Sequence, residues 1–346
     1  MTDVLPRGEV AIVGVGARCA TGLTALQVAM TVRAGKSQPR ESHIVDRAGE
    51  PVAVCRLGSI ADDLLGTARF VELGGSALAE AVGPWSVARN APRLPVVLAV
   101  PEAMSKKEMR DLFSDLAEHA EIDLDIERSK LVVQGRAGGI TAVELAMARL
   151  ARGEDEAVVV GGIDSWFDPD RLEDLDQAFR LNGPSCENGF IPGEAASFLV
   201  LTRRRSAGVR SCGQILGIAT ELEPRPYGSD EPCHGLGMTM AVKRATAPLG
   251  RTKVAWALTD VVGERHRVEE WLYVAGRLHW RFTGDVKHDQ PLLKTGDLGA
   301  ASATTLIVLA CVAWETGSAP APCAVVAAHA DGPERGALVV AEDMSQ

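Results

Sequence analysis

Short apolar runs and stretches of helical periodicity alternate from residue 10 to residue 340. That alternation restricts the chain to folds built on a mostly parallel sheet with helices on both faces. Residues 10–15 read as a buried strand closed by Gly14 and Gly16, with a helix expected over 23–33. Strands follow at 94–100, 131–133, 157–160, 198–201 and 214–219, with helices over 104–119, capped by Ser105, and 139–152. The order then recurs: helix 237–247, strand 254–258, helices 267–276 and 300–314, strands 323–327 and 337–340. The recurrence predicts a diverged second copy, and two such halves side by side give an α/β fold with an α/β/α/β/α layering. The halves are expected at 1–208 and 209–346, and the loop-like stretch 221–237 lies just inside the second.

At 346 residues, 46% of them hydrophobic and 24% charged, the chain can bury a large core. A net charge of −10 speaks against nucleic-acid or anionic-membrane partners, whose phosphates need clustered Lys and Arg. The one basic run, Arg203-Arg204-Arg205, reads as a solvated strand end. No apolar stretch reaches the ~20 residues of a membrane helix, and Asp3 and Glu9 stand where a secretory leader would be basic and then apolar. A cytoplasmic protein is expected. The seven cysteines, Cys19, Cys55, Cys186, Cys212, Cys233, Cys311 and Cys323, show no zinc-ligand spacing, so neither a metal nor a cofactor is expected. Gly14-Val15-Gly16 invites a dinucleotide reading, but the third glycine of that cradle is replaced by Cys19. A tight turn out of the first strand is the expectation there.

Four segments resemble β-ketoacyl synthases of the thiolase superfamily. Val10-Ala-Ile-Val-Gly-Val-Gly with Thr21-Gly-Leu-Thr-Ala is similar to that family's first strand and glycine turn, and Gly161-Gly-Ile-Asp to its "agG" strand end. Gly189-Phe-Ile-Pro-Gly-Glu-Ala-Ala-Ser, continuing to Cys212-Gly-Gln-Ile-Leu-Gly, resembles the "GFvxGEGAgvlvLe" run and the strand opening the second half. Lys294-Thr-Gly-Asp-Leu-Gly-Ala-Ala-Ser resembles "KsxxGHxxGAAG". The resemblance implies a thiolase-like fold of two pseudo-duplicated halves and a two-fold dimer paired through an edge strand of the first half.

The same resemblance implies that the family's chemistry is missing. Its cysteine falls at Arg136, and one histidine at Asp297. The "HGTxTxxGD" loop matches residues 255–264 without a histidine, and His329-Ala-Asp-Gly-Pro replaces "GFGGxN". A thiolate is stabilised at a helix N-terminus, whereas an arginine is neither nucleophilic nor favoured by that field. Asp260-Val-Val-Gly-Glu-Arg-His-Arg with Gly296-Asp-Leu-Gly-Ala-Ala-Ser looks like a divergent bacterial group of synthase-like proteins, some encoded beside type VI secretion genes.

If the fold is thiolase-like, Arg136, Asp260, Glu264, Arg267, Lys294, Asp297 and His329 converge on one cleft, with Arg136 and Asp297 paired because a lone buried charge is unfavourable. Lys294 is expected to neutralise Asp297, and Glu194 to be structural. Cys186 is the cysteine nearest the cleft, with no histidine placed to activate it. His266 is expected to be exposed. Two functions compete: a non-catalytic interaction, scaffold or acyl-binding protein, as a homodimer or as the inactive half of a heterodimer, and an acyltransferase of acyl thioesters with a rebuilt site. An acyl-carrier protein or a secretion-system component is the implied partner. The chain also looks shorter than ordinary condensing enzymes, mostly before Arg136, where loops capping an acyl pocket would lie.

Overall fold

The computed structural model describes residues 8–37, 39–89, 93–102, 104, 106–184, 186–203 and 209–343, the side chains of 106–110 excepted. The expected Ser105 cap and the basic residues Arg204 and Arg205 lie outside the described residues.

The chain begins with strand β1 (Val10–Cys19), helix α1 (Ala25–Arg33) and a small hairpin of β2 (Arg40–Val45) and β3 (Pro51–Val54). Helix α2 (Gly66–Arg89), β4 (Val96–Val100), α3 (Lys106–Ala120) and β5 (Lys130–Val133) follow, then α4 (Gly138–Arg152), β6 (Ala157–Ser165), α5 (Pro169–Gln177) and β7 (Glu194–Arg203). The remainder comprises β8 (Gly213–Leu222), α6 (Leu236–Ala245), β9 (Val254–Thr259), α7 (Arg265–Arg277), β10 (Phe282–Asp289), α8 (Leu292–Thr295), α9 (Ser302–Glu315), β11 (Cys323–His329) and β12 (Glu334–Ala341).

Ten strands form one sheet in the order β10-β9-β11-β12-β8-β1-β7-β6-β4-β5. Counted outward from the centre, the arms β1-β7-β6-β4-β5 and β8-β12-β11-β9-β10 have the same topology. In each, the second strand runs antiparallel to its neighbours and the outer three are parallel. The arms join where Val10, Ala11 and Ile12 pair antiparallel with Ile215, Gln214 and Gly213. The duplicated order expected from the sequence is therefore present as a repeated sheet.

Helices α2 and α3 cover one outer face, where Leu73, Leu78, Trp85, Leu112 and Leu116 share one core cluster with Phe198 of β7. Helices α6 and α7 cover the other through Met238, Val242, Trp271 and Val274. Between the arms lie α4 and α9. Helix α9 is apolar around its whole circumference, and all but Ala313 and Glu315 are buried, as a helix enclosed on every side requires. This is the five-layer arrangement expected from the sequence.

Gly14 and Gly16 do not form a turn. Strand β1 runs through both to Cys19, with a bulge between Ile12 and Gly14. A Cβ at Gly14 would lie 2.0 Å from the Ala81 carbonyl oxygen, and one at Gly16 2.0 Å from that of Ala77. The two glycines let α2 press its backbone against the strand, a packing role that leaves no phosphate cradle.

Candidate functional site

Arg136 sits in the 3-10 turn 135–137 that leads into α4, and its side chain is 4% exposed. The positive end of a helix repels a cation, so carboxylates must hold it. Its Nε donates to Asp297 Oδ1 and Oδ2 at 3.0 and 2.8 Å, and its Nη1 to Asp331 Oδ1 at 3.0 Å. The guanidinium also lies 5.2 Å from the Trp166 ring and 5.5 Å from that of Phe190.

Asp297, fully buried after α8, further accepts from Arg267 Nη1 at 3.0 Å, Trp166 Nε1 at 3.3 Å and the Gly299 backbone N–H at 2.8 Å. Burial pushes this carboxyl up, but Arg136 and Arg267 prevail and hold its pKa down at about 2. Burial likewise opposes ionisation of Asp331, yet Arg136 and Arg180 hold it well below the usual carboxylate range. Arg180 reaches Asp331 at 2.8 and 3.1 Å and grips Glu264 with two bonds of 2.7 and 2.9 Å.

At the other end of the network, Arg267 lies 3.4 Å from Asp260. Asp260 accepts from the His329 backbone N–H at 2.8 Å and sits 2.6 Å from His329 Nδ1. Burial again raises the carboxyl and His329 and Arg267 lower it, with a net downward shift. His329 Nε2 is buried without a hydrogen-bond partner among the described residues.

The structure thus brings together Arg136, Asp260, Glu264, Arg267, Asp297 and His329. Lys294 is not among them: it is half-buried and lines a separate recess, and the two arginines take the part expected of it. His266 is half-buried, not exposed, and stacks on Tyr227 at 4.2 Å. Cys186 donates to the Phe179 carbonyl at 2.9 Å and borders a small hollow with Arg47 and Asp176, outside the cavity at Arg136. Glu194 is wholly buried and bound to Arg69, Ser165 and the Leu57 backbone N–H.

In front of Arg136 opens a cavity of ≈350 Å³ whose charged lining includes three arginines, Arg136, Arg171 and Arg180, and four carboxylates, Glu102, Asp164, Asp174 and Asp331. Among the described lining residues there is no cysteine, serine, histidine or lysine. Burial and the nearby Asp331 carboxylate push the Glu102 carboxyl up. Arg180, Arg171 and Trp166 were not singled out from sequence: Trp166 directly follows β6, Arg171 lies in the first turn of the short α5, and Arg180 follows that helix, positions with no shared sequence signal. Two ligand-like groups, Glu223-Cys233-Glu270 and Glu264-His266-Asp331, lie close enough to hold a metal. Arg335 already engages Glu270, the Gly237 backbone N–H donates to Glu223, and Arg180 engages Glu264 and Asp331.

The fold is the thiolase-like fold of ketosynthases. Residues 129–207 match the family model described as the β-ketoacyl synthase N-terminal domain. A search of curated proteins finds no match. Among solved structures, the ketosynthase from module 6 of the bacillaene synthase of Bacillus subtilis 168 is 14% identical, with 97% of this chain aligned to 72% of that one at a TM-score of 0.77. A ketosynthase in complex with its chain length factor from Xenorhabdus doucetiae gives 16% identity, coverage of 97% and 98%, and a TM-score of 0.75. A type II PKS acyl-carrier protein in complex with its ketosynthase gives 14% identity, coverage of 98% and 100%, and a TM-score of 0.81. Among the described residues, no helix is long and apolar enough to cross a membrane.

Proposed function

We propose that this chain is a non-catalytic relative of the β-ketoacyl synthases that acts as a cytoplasmic scaffold subunit, paired with a second copy or with a synthase-type partner. The observation that carries this reading is Arg136. At the mouth of α4, where the family's cysteine falls in sequence, it is locked by Asp297 and Asp331 at 2.8–3.0 Å. All three arginines of the cavity are ion-paired and its carboxylates outnumber them, so among the described residues it offers no free cation for the phosphate of a pantetheine arm.

The pairing surface in this proposal is β5, an edge of the ten-stranded sheet, whose Val133 is 38% exposed. An exposed edge strand is a template for a second chain. In this reading the halves divide at 208/209. Solved structures that share the fold include a ketosynthase with its chain length factor and one with its acyl-carrier protein. Those two partner types lead the list for this chain, and the likeness of residues 260–267 and 296–302 to synthase-like proteins near type VI secretion genes adds a secretion-system component.

Intact-protein mass spectrometry after incubation with acyl-CoA and acyl-carrier-protein thioesters is expected to show neither a stable acyl adduct nor thiol release. Light scattering is expected to show a dimer that Val133→Asp shifts towards monomer, because a two-fold pair would bring the introduced charges together. An adduct, or turnover abolished by Asp297→Ala, would overturn the non-catalytic reading in favour of an acyltransferase.

A further inference from the structure

A second recess, of ≈380 Å³, lies between α1, β9, β10, α8 and α9 and shares no lining residue with the cavity at Arg136. Its size falls within the range of small-molecule sites. Met30, Val32, Trp256, Leu258, Leu309 and Ala313 supply apolar wall. Apolar surface continues outward: Leu293, which also lines the recess, is 48% exposed, and Leu26, one helical turn before Met30, is 52% exposed.

The charged groups of the recess divide into two kinds. The Trp256 indole N–H donates to Asp289 at 2.8 Å, and Lys287 pairs with the same carboxylate at 3.0 Å, so these three groups are satisfied internally. Lys294 and Arg33 also line the recess, and neither has an ion-pair partner among the described residues. Asp297, the carboxylate expected to hold Lys294, is already taken by two arginines. The chemistry left open is an apolar wall with two uncompensated cations.

We propose that this recess binds a small amphipathic monoanion, a medium-chain carboxylate, with its chain along Trp256, Leu258 and Leu309 and its head towards Lys294 and Arg33. A neutral alkanol would gain the same apolar burial without the charge-assisted contact, and an alkyl cation would be repelled. A highly charged polar metabolite would leave the apolar walls in water.

The test is titration of the full chain with decanoate, decanol and decyltrimethylammonium. Binding is read by tryptophan emission, to which Trp256 and its edge-to-face neighbour Trp314 at 5.9 Å contribute, and by displacement of anilinonaphthalene sulfonate. Decanoate is expected to bind saturably and about tenfold more tightly than decanol, the factor that one charge-assisted contact supplies. Lys294→Gln is expected to remove most of that preference while leaving decanol unchanged. Ala313→Phe, which fills the recess, is expected to abolish both, and Arg136→Met to affect neither. Equal affinity for decanoate and decanol, or decanoate binding unaltered in both Lys294→Gln and Ala313→Phe, overturns the proposal. So does association confined to phosphatidylglycerol vesicles, which would mark a lipid-surface contact. Because Lys294 stands at the half-buried rim, its variant keeps the test decisive even if Ala313→Phe does not fold.

Discussion

Two buried arginine-carboxylate assemblies in this protein use the same chemistry in different ways. Arg69, on α2, meets Glu194, at the start of β7, through bonds of 2.6 and 2.8 Å and spends a third nitrogen on the Ala61 and Leu64 carbonyls at 3.0 Å each. Glu194 completes its shell with Leu57 N–H and the Ser165 hydroxyl, both at 2.7 Å. The pair is closed, wholly buried and lies within the first arm. The Arg136 assembly is instead an open chain of Arg180, Arg136 and Arg267 alternating with Glu264, Asp331, Asp297 and Asp260. Residues before 208 contribute two of those arginines, residues after 209 the rest, and one flank faces a cavity. A closed pair has no substitute partner; a chain has several.

The largest expected effect comes from breaking the closed pair. Arg69→Met strands Glu194 in the core and is expected to cost about 3–5 kcal/mol in urea denaturation, with most of it restored by adding Glu194→Leu. Arg136→Met is expected to cost less, roughly 2 kcal/mol, because Asp297 keeps Arg267, Trp166 and Gly299, and Asp331 keeps Arg180. Equal losses would show that the chain offers no redundancy.

The acid limb sharpens the same contrast. Asp297 titrates at about 2 when folded, below its unfolded value near 3.8, so its contribution is complete above pH 4 and is lost as pH falls towards 2. That loss is expected to be about 2 kcal/mol in the parent and smaller in Arg136→Met, measured as the pH dependence of the denaturation free energy. A separate pH window belongs to His266. Burial holds its imidazole at about 4, against its ordinary 6.5, so the unfolded state binds more protons between those values and stability falls as pH drops through that window. His266→Gln is expected to flatten this slope.

Where local pattern and tertiary packing agree, the sequence is readable. The β4, β6, β9 and β11 runs are unbroken and apolar, as buried parallel strands are; α4 carries helical periodicity, and the apolar run of α9, at 14 residues, is too long for a strand. Helix α2 escaped because Gly74, Gly75, Gly83 and Pro84 read as breakers, although the glycines at 74 and 75 are packing contacts for Leu116 and His119. The exposed strand β10 and the short α5 carry too little apolar signal to be distinguished from loop. At the site, the Arg136 to Asp297 approach was legible because a buried charge demands an opposite one. Arg180 was not: it follows α5 without periodic context, and only the fold brings it to Glu264. Lys294 misled because the arginine side chains that displace it come from positions remote in sequence.

Strand β1 joins the two arms, pairing with β7 on one side and β8 on the other. It is synthesised before both of its partners, which begin only at Glu194 and Gly213. Neither arm can acquire its central strand pair until most of the first half has been synthesised. Contacts this remote slow folding and leave β1 for that interval with two unpaired apolar edges, the kind of surface that recruits chaperones or aggregates. Moving the chain ends by circular permutation, so that β1 follows β7, would shorten that wait without altering a single native contact.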